Sequence, residues 1–218
     1  MSLQSPPPRL FVILAKDAEE AVVFRRGPTD WFHIIRWNMK DDSFIRGAWI
    51  KGTIYPKKCD LSPNGKLLLY AVLQMRKWRT DAKYSSYTAI SRLPWLKALV
   101  LWPESGTWGG GGRFTSNSHV VLHSSGCVVH PDHADPSITF SDGSVEYHRS
   151  SAEVDGADWT GRDHAGRLIY AKDGLIYRRL GSGVELELAD LRDMAPDPIP
   201  APEYADGPLQ RGGKHSDI

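Results

Sequence analysis

From position 9 to about 194 the chain is written in short apolar runs: LFVIL (10–14), AVVF (21–24), WFHIIRW (31–37), LLLYAVL (67–73), HVVLH (119–123), RLIYA (167–171) and LIYRR (175–179). Runs of this length, rich in β-branched and aromatic side chains, predict strands rather than helices. The gaps between them carry turn chemistry. Asn64-Gly65 precedes LLLYAVL, Asp142-Gly143 precedes SVEYHR, and Asp173-Gly174 separates LIYA from LIYRR by two residues. Asn-Gly and Asp-Gly supply the positive φ that a tight hairpin needs, so each predicts a pair of adjacent antiparallel strands.

Several runs do not alternate apolar with polar. Leu67 and Leu69 point to one face of their strand, Leu68 and Tyr70 to the other. A strand that is apolar on both faces needs cover on both, which antiparallel sheets stacked face against face provide. Self-similarity agrees. The segments CDLSPNGKLLLYAV (59–72), GRFTSNSHVVLH (112–123) and ADWTGRDHAGRLIYAK (157–172) share one plan: an entry with an apolar or aromatic residue, a polar turn, then a dense apolar strand. Leu61, Phe114 and Trp159 are spaced 53 and 45 residues apart, and a step of similar size back from Leu61 reaches LFVIL. Periods of about 40 to 50 residues with short strands suggest propeller blades.

The stretch from Asp60 to Tyr70, DLSPNGKLLLY, resembles the "SPDG-K" strand opening of β-propellers of the TolB and WD40 type, over barely a dozen residues. The other two copies match it loosely, and the chain carries no WD dipeptide and no GH signature. The resemblance implies blade-like repeats and no particular activity. The expected fold is therefore all-β, about four antiparallel propeller-like sheets arranged as a closed ring, an open stack or a sandwich, in that order of preference.

Residues 1–8 form a proline-rich lead, residues 9–194 one β-domain, and residues 195–218 a tail of Pro, Gly and charge. Such a tail cannot offset its ordering entropy alone, so it is either disordered or draped over the surface. With 27 Lys and Arg against 26 Asp and Glu, the net charge of +1 supplies no global field for nucleic acid or an anionic membrane. Two cysteines, Cys59 and Cys127, and no apolar run long enough to span a bilayer point to a reducing cytoplasm and no membrane partner.

Four sets of residues could carry chemistry. The first is Gly109–Gly112; without a following Lys-Ser/Thr and a helix, it reads as a joint between sheets rather than a phosphate cradle. The second is the cluster of His119, His123, Cys127, His130 and His133. His119 and His123 would stand about 13 Å apart along a strand, so the tighter His130-Pro131-Asp132-His133 loop is the candidate for zinc or for acid–base work. The third is 75–95, where Arg76, Lys77, Arg79, Lys83 and Arg92 interleave with Trp78, Tyr84, Tyr87 and Trp95. The mixture suits stacking on bases or gripping an acidic partner, or else it is a long hairpin insertion whose rings prop a core and whose charges are solvated. A nucleic-acid role for it would need a basic stripe that the rest of the chain does not supply. The fourth is Asp60 and Asp158, which hold equivalent places in two repeats: they could be paired carboxylates at a propeller centre, but the expectation is that each caps a turn or ties a strand start to backbone amides.

No G-x-S-x-G, H-E-x-x-H or paired C-x-x-C occurs. The expectation is a non-enzymatic module without cofactor that binds a protein partner through Arg76, Trp78, Arg79, Tyr84, Tyr87, Arg92 and Trp95. An accessory, adaptor or toxin-neutralising (immunity) protein would fit. The rival reading is a metal-dependent hydrolase or lyase built on His130 and His133.

Overall fold

The computed structural model describes residues 6–73, 86–104, 109–124, 126–150, 153–181 and 183–209. The expected all-β class holds: 47% of the protein is strand and 3% helix, in four sheets with no closed barrel. Sheet 1 is the meander β1 (Arg9–Leu14), β2 (Glu20–Arg26), β3 (Trp31–Asn38) and β4 (Ser43–Lys51). Sheet 2 holds β5 (Thr53–Ile54), β6 (Asp60–Leu61), β7 (Leu67–Leu73), β8 (Ser86–Arg92) and β9 (Ala98–Glu104). Sheet 3 is β10 (Gly112–Phe114), β11 (His119–Leu122) and β12 (Thr139–Asp142). Sheet 4 is β13 (Trp159–Arg162), β14 (Leu168–Lys172), β15 (Leu175–Arg179) and β16 (Glu185–Asp190).

β5 and β6 both pair with β7 and act as one interrupted first strand of sheet 2. The three similar segments are the β6–β7, β10–β11 and β13–β14 hairpins that open sheets 2, 3 and 4, and LFVIL is the first strand of sheet 1. Two of the three turn expectations hold. At Asp173-Gly174 both residues have positive φ (51° and 80°) and Lys172 pairs with Leu175; at Asn64-Gly65 the glycine has φ 72° between β6 and β7. Asp142-Gly143 makes no hairpin. Residues 144–150 form no strand, because the chain leaves sheet 3 and binds the edge of sheet 2, where the His148 amide donates to the Lys57 carbonyl at 3.1 Å. β12 also runs parallel to β11, an arrangement the long connection between them permits.

Three apolar layers join the sheets in the order 4-1-2-3. On β2, Ala21 and Val23 face the layer shared with Trp159, Ile169 and Ile176 of sheet 4, whereas Val22 and Phe24 face the layer shared with Leu68, Tyr70 and Val72 of sheet 2. On β7 the alternate residues Leu67 and Leu69 turn to Val120 and Leu122 of sheet 3. The continuous apolar runs are thus strands covered on both faces, as their pattern requires. Among the described residues no apolar cluster joins sheet 3 to sheet 4.

Polar ties reinforce the stack. Asp158, next to β13, accepts the Leu10 amide of β1 at 3.3 Å, and Asp60 of β6 accepts the Phe114 amide of β10 at 2.8 Å. Each carboxylate reaches from one sheet to the first strand of the next, the tie expected of both. The buried Arg178 of sheet 4 grips Asp42 of the β3–β4 turn at 2.7 and 2.8 Å, and Arg25 donates to the Leu191 and Arg192 carbonyls at 2.6 and 2.8 Å.

The two-sided burial of β7 predicts a sharp contrast between two leucines. Leu69 is fully buried and Leu186 of β16 is 46% exposed. Leu69→Ala should cost about 2–5 kcal/mol and Leu186→Ala under about 0.5 kcal/mol, read as urea midpoints at constant m-value.

Candidate functional site

The end of β8, the turn that follows it and the loop 130–135 form a shallow groove crossed by residues 202–209, in which Glu203–Ala205 make one 3-10 turn, Ala205 is buried and Glu203, Tyr204 and Asp206 to Pro208 are exposed. Loop 130–135 lies along the free edge of β9: the His130 amide donates to the Leu101 carbonyl, the Leu101 amide to the His133 carbonyl, and the Asp135 amide to the Leu99 carbonyl, at 2.8, 3.1 and 3.1 Å. This pairing satisfies backbone groups an edge strand would expose. It also sets the buried Asp135 close to Arg92 at the end of β8.

Across this pair runs the tail. Arg92 donates to the Gly207 carbonyl at 2.8 Å and the Pro208 carbonyl at 3.0 Å, and Asp135 accepts the Leu209 amide at 2.6 Å. The buried Trp95 donates its indole N–H to the Tyr204 hydroxyl at 3.0 Å, and Lys97 pairs with Asp206 at 2.9 Å. Ala205 is fully buried, and Leu209 packs on the layer between sheets 2 and 3. Of the two alternatives expected for the tail, draping therefore describes 202–209. Residues 195–201 make no hydrogen bond among the described residues, and Ile199 within them is half exposed.

Burial alone would raise the Asp135 pKa, but hydrogen bonds from Ser137 and the Leu209 amide, with Arg92 alongside, outweigh it and hold the carboxyl below its ordinary value. A carboxylate lowered in the folded state stabilises it above the ordinary pKa, and that contribution is lost as the pH falls through the lowered one. The tail latch therefore weakens in acid.

The sequence candidates fall unevenly on this geometry. Arg92 and Trp95 are in the groove. Tyr87 is not: it packs edge-to-face on Tyr70, ring centroids 6.3 Å apart, against the layer between sheets 1 and 2, and burial pushes its hydroxyl up to about 12. Arg76, Trp78, Arg79 and Tyr84 lie outside the described residues. The rings of His130 and His133 are 5.6 Å apart, with His133 Nδ1 on the Ala98 carbonyl at 3.1 Å and His130 Nδ1 accepting the Asp132 amide at 3.3 Å. Among the described residues no group of three or more His, Cys, Asp or Glu could hold a metal ion. His119 bonds Thr139, and burial pushes the Cys127 thiol up to about 11.

A second polar cluster, not anticipated as a unit, fills the seam between sheets 2 and 3. The turn Pro56–Lys58 interrupts the first strand of sheet 2 and pushes its carbonyls outward, where Arg113 donates to Lys57 and Cys59 at 3.1 and 2.8 Å. Asp60, besides holding Phe114, binds His148 Nε2 at 3.0 Å. Arg113, Glu146, Tyr147, His148 and Arg149 line an open cleft of about 360 Å³ there. The glycine run closes the seam. Gly111 has φ 77°, and a Cβ there would lie 2.2 Å from the Lys58 carbonyl oxygen; one on Gly112 would lie 2.4 Å from that of Val121. The run is a joint packed against two sheets.

No protein-family model, no curated protein and no solved structure matches this chain. Among the described residues no helix is long and apolar enough to cross a membrane.

Two outcomes follow from the groove and the seam. Arg92→Ala should speed hydrogen exchange of the Leu209 amide roughly tenfold or more, the loss of about one charge-assisted hydrogen bond, while amides of β7 keep their protection. Gly111→Ala should cost clearly more stability than Gly126→Ala in chemical denaturation. Both glycines have positive φ, but a Cβ at Gly126 meets nothing within 4 Å, so the excess measures the clash with Lys58.

Proposed function

We propose that the protein is a non-enzymatic binding module of propeller-like sheets that engages a protein partner through the face carrying Arg92, Trp95 and Lys97. One observation carries this reading: Arg92 and Trp95, the part of the basic and aromatic segment at this face, already hold a peptide segment through two carbonyls and a hydroxyl, and the neighbouring Lys97 holds its carboxylate. Arginine and tryptophan are the side chains that most often concentrate binding energy at protein interfaces, because each joins apolar area to directional donors. Arg92 ends β8 and Trp95 is buried, so packing already restricts the Trp95 rotamer before a partner arrives. An accessory or adaptor role in the cytoplasm fits such a surface.

The test is capture of partners from the native cell by the full chain and by two variants of matching melting temperature. A partner retained by the wild-type chain and by Leu186→Ala, but lost from Lys97→Glu, is the expected result. A partner held equally by all three would overturn the assignment to this face. Stoichiometric metal in protein purified without chelator, lost in both His130→Ala and His133→Ala, would overturn the non-enzymatic reading in favour of a metal-dependent hydrolase or lyase.

A further inference from the structure

The way the tail sits in the groove says more about what the groove recognises. Arg92 and Asp135 read the main chain of residues 207–209, two successive carbonyls and then an amide, so they fix the direction and register of the stretch that follows the 3-10 turn Glu203–Ala205 without regard to its side chains. Side-chain selection comes from four further places. Trp95 offers a donor to the hydroxyl of Tyr204, Lys97 pairs with the carboxylate of Asp206, and Leu209 covers the layer between sheets 2 and 3. Ala205 has no exposed surface, so its place has room for a methyl group and a larger side chain would overpack it.

The backbone of the segment is shaped for this seat. Gly207 has φ 113°, a value that a side chain disfavours, and Pro208 has no N–H, so the two carbonyls can face Arg92 with one fewer amide to satisfy. Residues 195–201 form no hydrogen bond among the described residues and include Pro196, Pro198 and Pro200. The segment is therefore a ligand on a short tether. Tethering gives it an effective concentration of about millimolar, enough to fill a groove of modest affinity and low enough for a better ligand to displace it.

We infer that this groove is a recognition site for a short peptide with the chemistry of Pro-Glu-Tyr-Ala-Asp-Gly-Pro-Leu, one 3-10 turn over its Glu-Tyr-Ala part followed by an open Asp-Gly-Pro-Leu stretch, occupied in cis by residues 202–209 and in trans by a partner segment that displaces them. The inference rests on the reading that a protein partner binds this face, and it adds what the partner presents: a hydroxyl-bearing aromatic residue, a small residue, an acid, a Gly-Pro turn and an apolar residue, in that order.

The probe is a fluorescent synthetic peptide PAPEYADGPL, matching residues 200–209, followed by anisotropy against the full chain. Tyr204→Ala with Asp206→Ala weakens the resident segment and leaves the groove intact. This double variant should bind the peptide at least tenfold more tightly than the wild-type chain, and adding Arg92→Ala should abolish the gain. A scrambled peptide should not bind. Absence of binding to a double variant with wild-type melting behaviour, or binding indifferent to Arg92→Ala, overturns the inference. If the double variant does not fold, the wild-type chain is titrated with unlabelled peptide to millimolar concentration while the Trp95 indole N–H resonance is followed: a saturable shift supports the inference and none overturns it. Excess peptide added to the partner capture separates the two readings. A partner that Lys97→Glu loses but saturating peptide does not displace leaves the face assignment standing and sinks the peptide groove.

Discussion

A β-strand that is apolar on both faces cannot lie at the surface of a two-layer protein, and this constraint organises the molecule. β2, β3 and β7 are such strands. Each needs an apolar layer on either side, so sheet 1 is enclosed by sheets 4 and 2, and sheet 2 by sheets 1 and 3. Full burial of one Leu or Phe side chain is worth about 1.5–3 kcal/mol, and these strands bury nearly every side chain they carry, so stacking dominates the other contributions. Sheets 3 and 4 pay for ending the series: their outer strands β12 and β16 carry mostly polar or half-buried side chains.

Stacking alone does not fix how one sheet is rotated on the next, because apolar contact is non-directional. The carboxylates of Asp60 and Asp158 supply direction. Asp60 lies in β6 and Asp158 just before β13, and each accepts an amide from the first strand of a neighbouring sheet, Phe114 in one case and Leu10 in the other. An arginine precedes each of those amides, Arg113 and Arg9; burial raises the Asp158 pKa and lowers that of Arg113, and the opposite charge nearby, Arg9 in one case and Asp60 in the other, offsets only part of the shift. The same residue types thus recur where sheet 2 meets sheet 3 and where sheet 4 meets sheet 1. A mutant that removed the charge and kept the volume would leave the apolar layers intact and free their registration.

Much of this was legible from the residues. Seven apolar runs fell on strands, the Asp173-Gly174 and Asn64-Gly65 turns held, and the three similar segments proved to be the opening hairpins of three sheets. Strands at sheet edges were harder to see. SFIRGAWIK of β4 and ELELAD of β16 have half-buried or exposed faces, so their apolar pattern is diluted. Asp142-Gly143 misled because a turn signal reports local φ only; whether a strand follows depended on an acceptor 86 residues or more away, at Lys57. The seam cluster had the same difficulty. Asp60 and His148 are 88 positions apart, and nothing local in either segment announces the other.

The groove shows where local and long-range information meet. Arg92 and Trp95 stood out because charge and aromatic area on one segment suggest a surface that grips something, an inference about chemistry that needs no fold. What they grip in this chain lies more than a hundred positions later, in a tail whose composition argued only that it could not fold by itself. The two observations are complementary in physical terms. A segment that is too polar to bury itself orders only where a preformed surface supplies donors and acceptors for its backbone, and Arg92 with Asp135 supplies both within one short stretch. The ordering entropy of the tail is then met mainly by hydrogen bonds, with the buried Ala205 methyl group and the half-buried Leu209 as its apolar contribution. A contact built that way is specific in register and modest in strength, the combination a displaceable ligand requires.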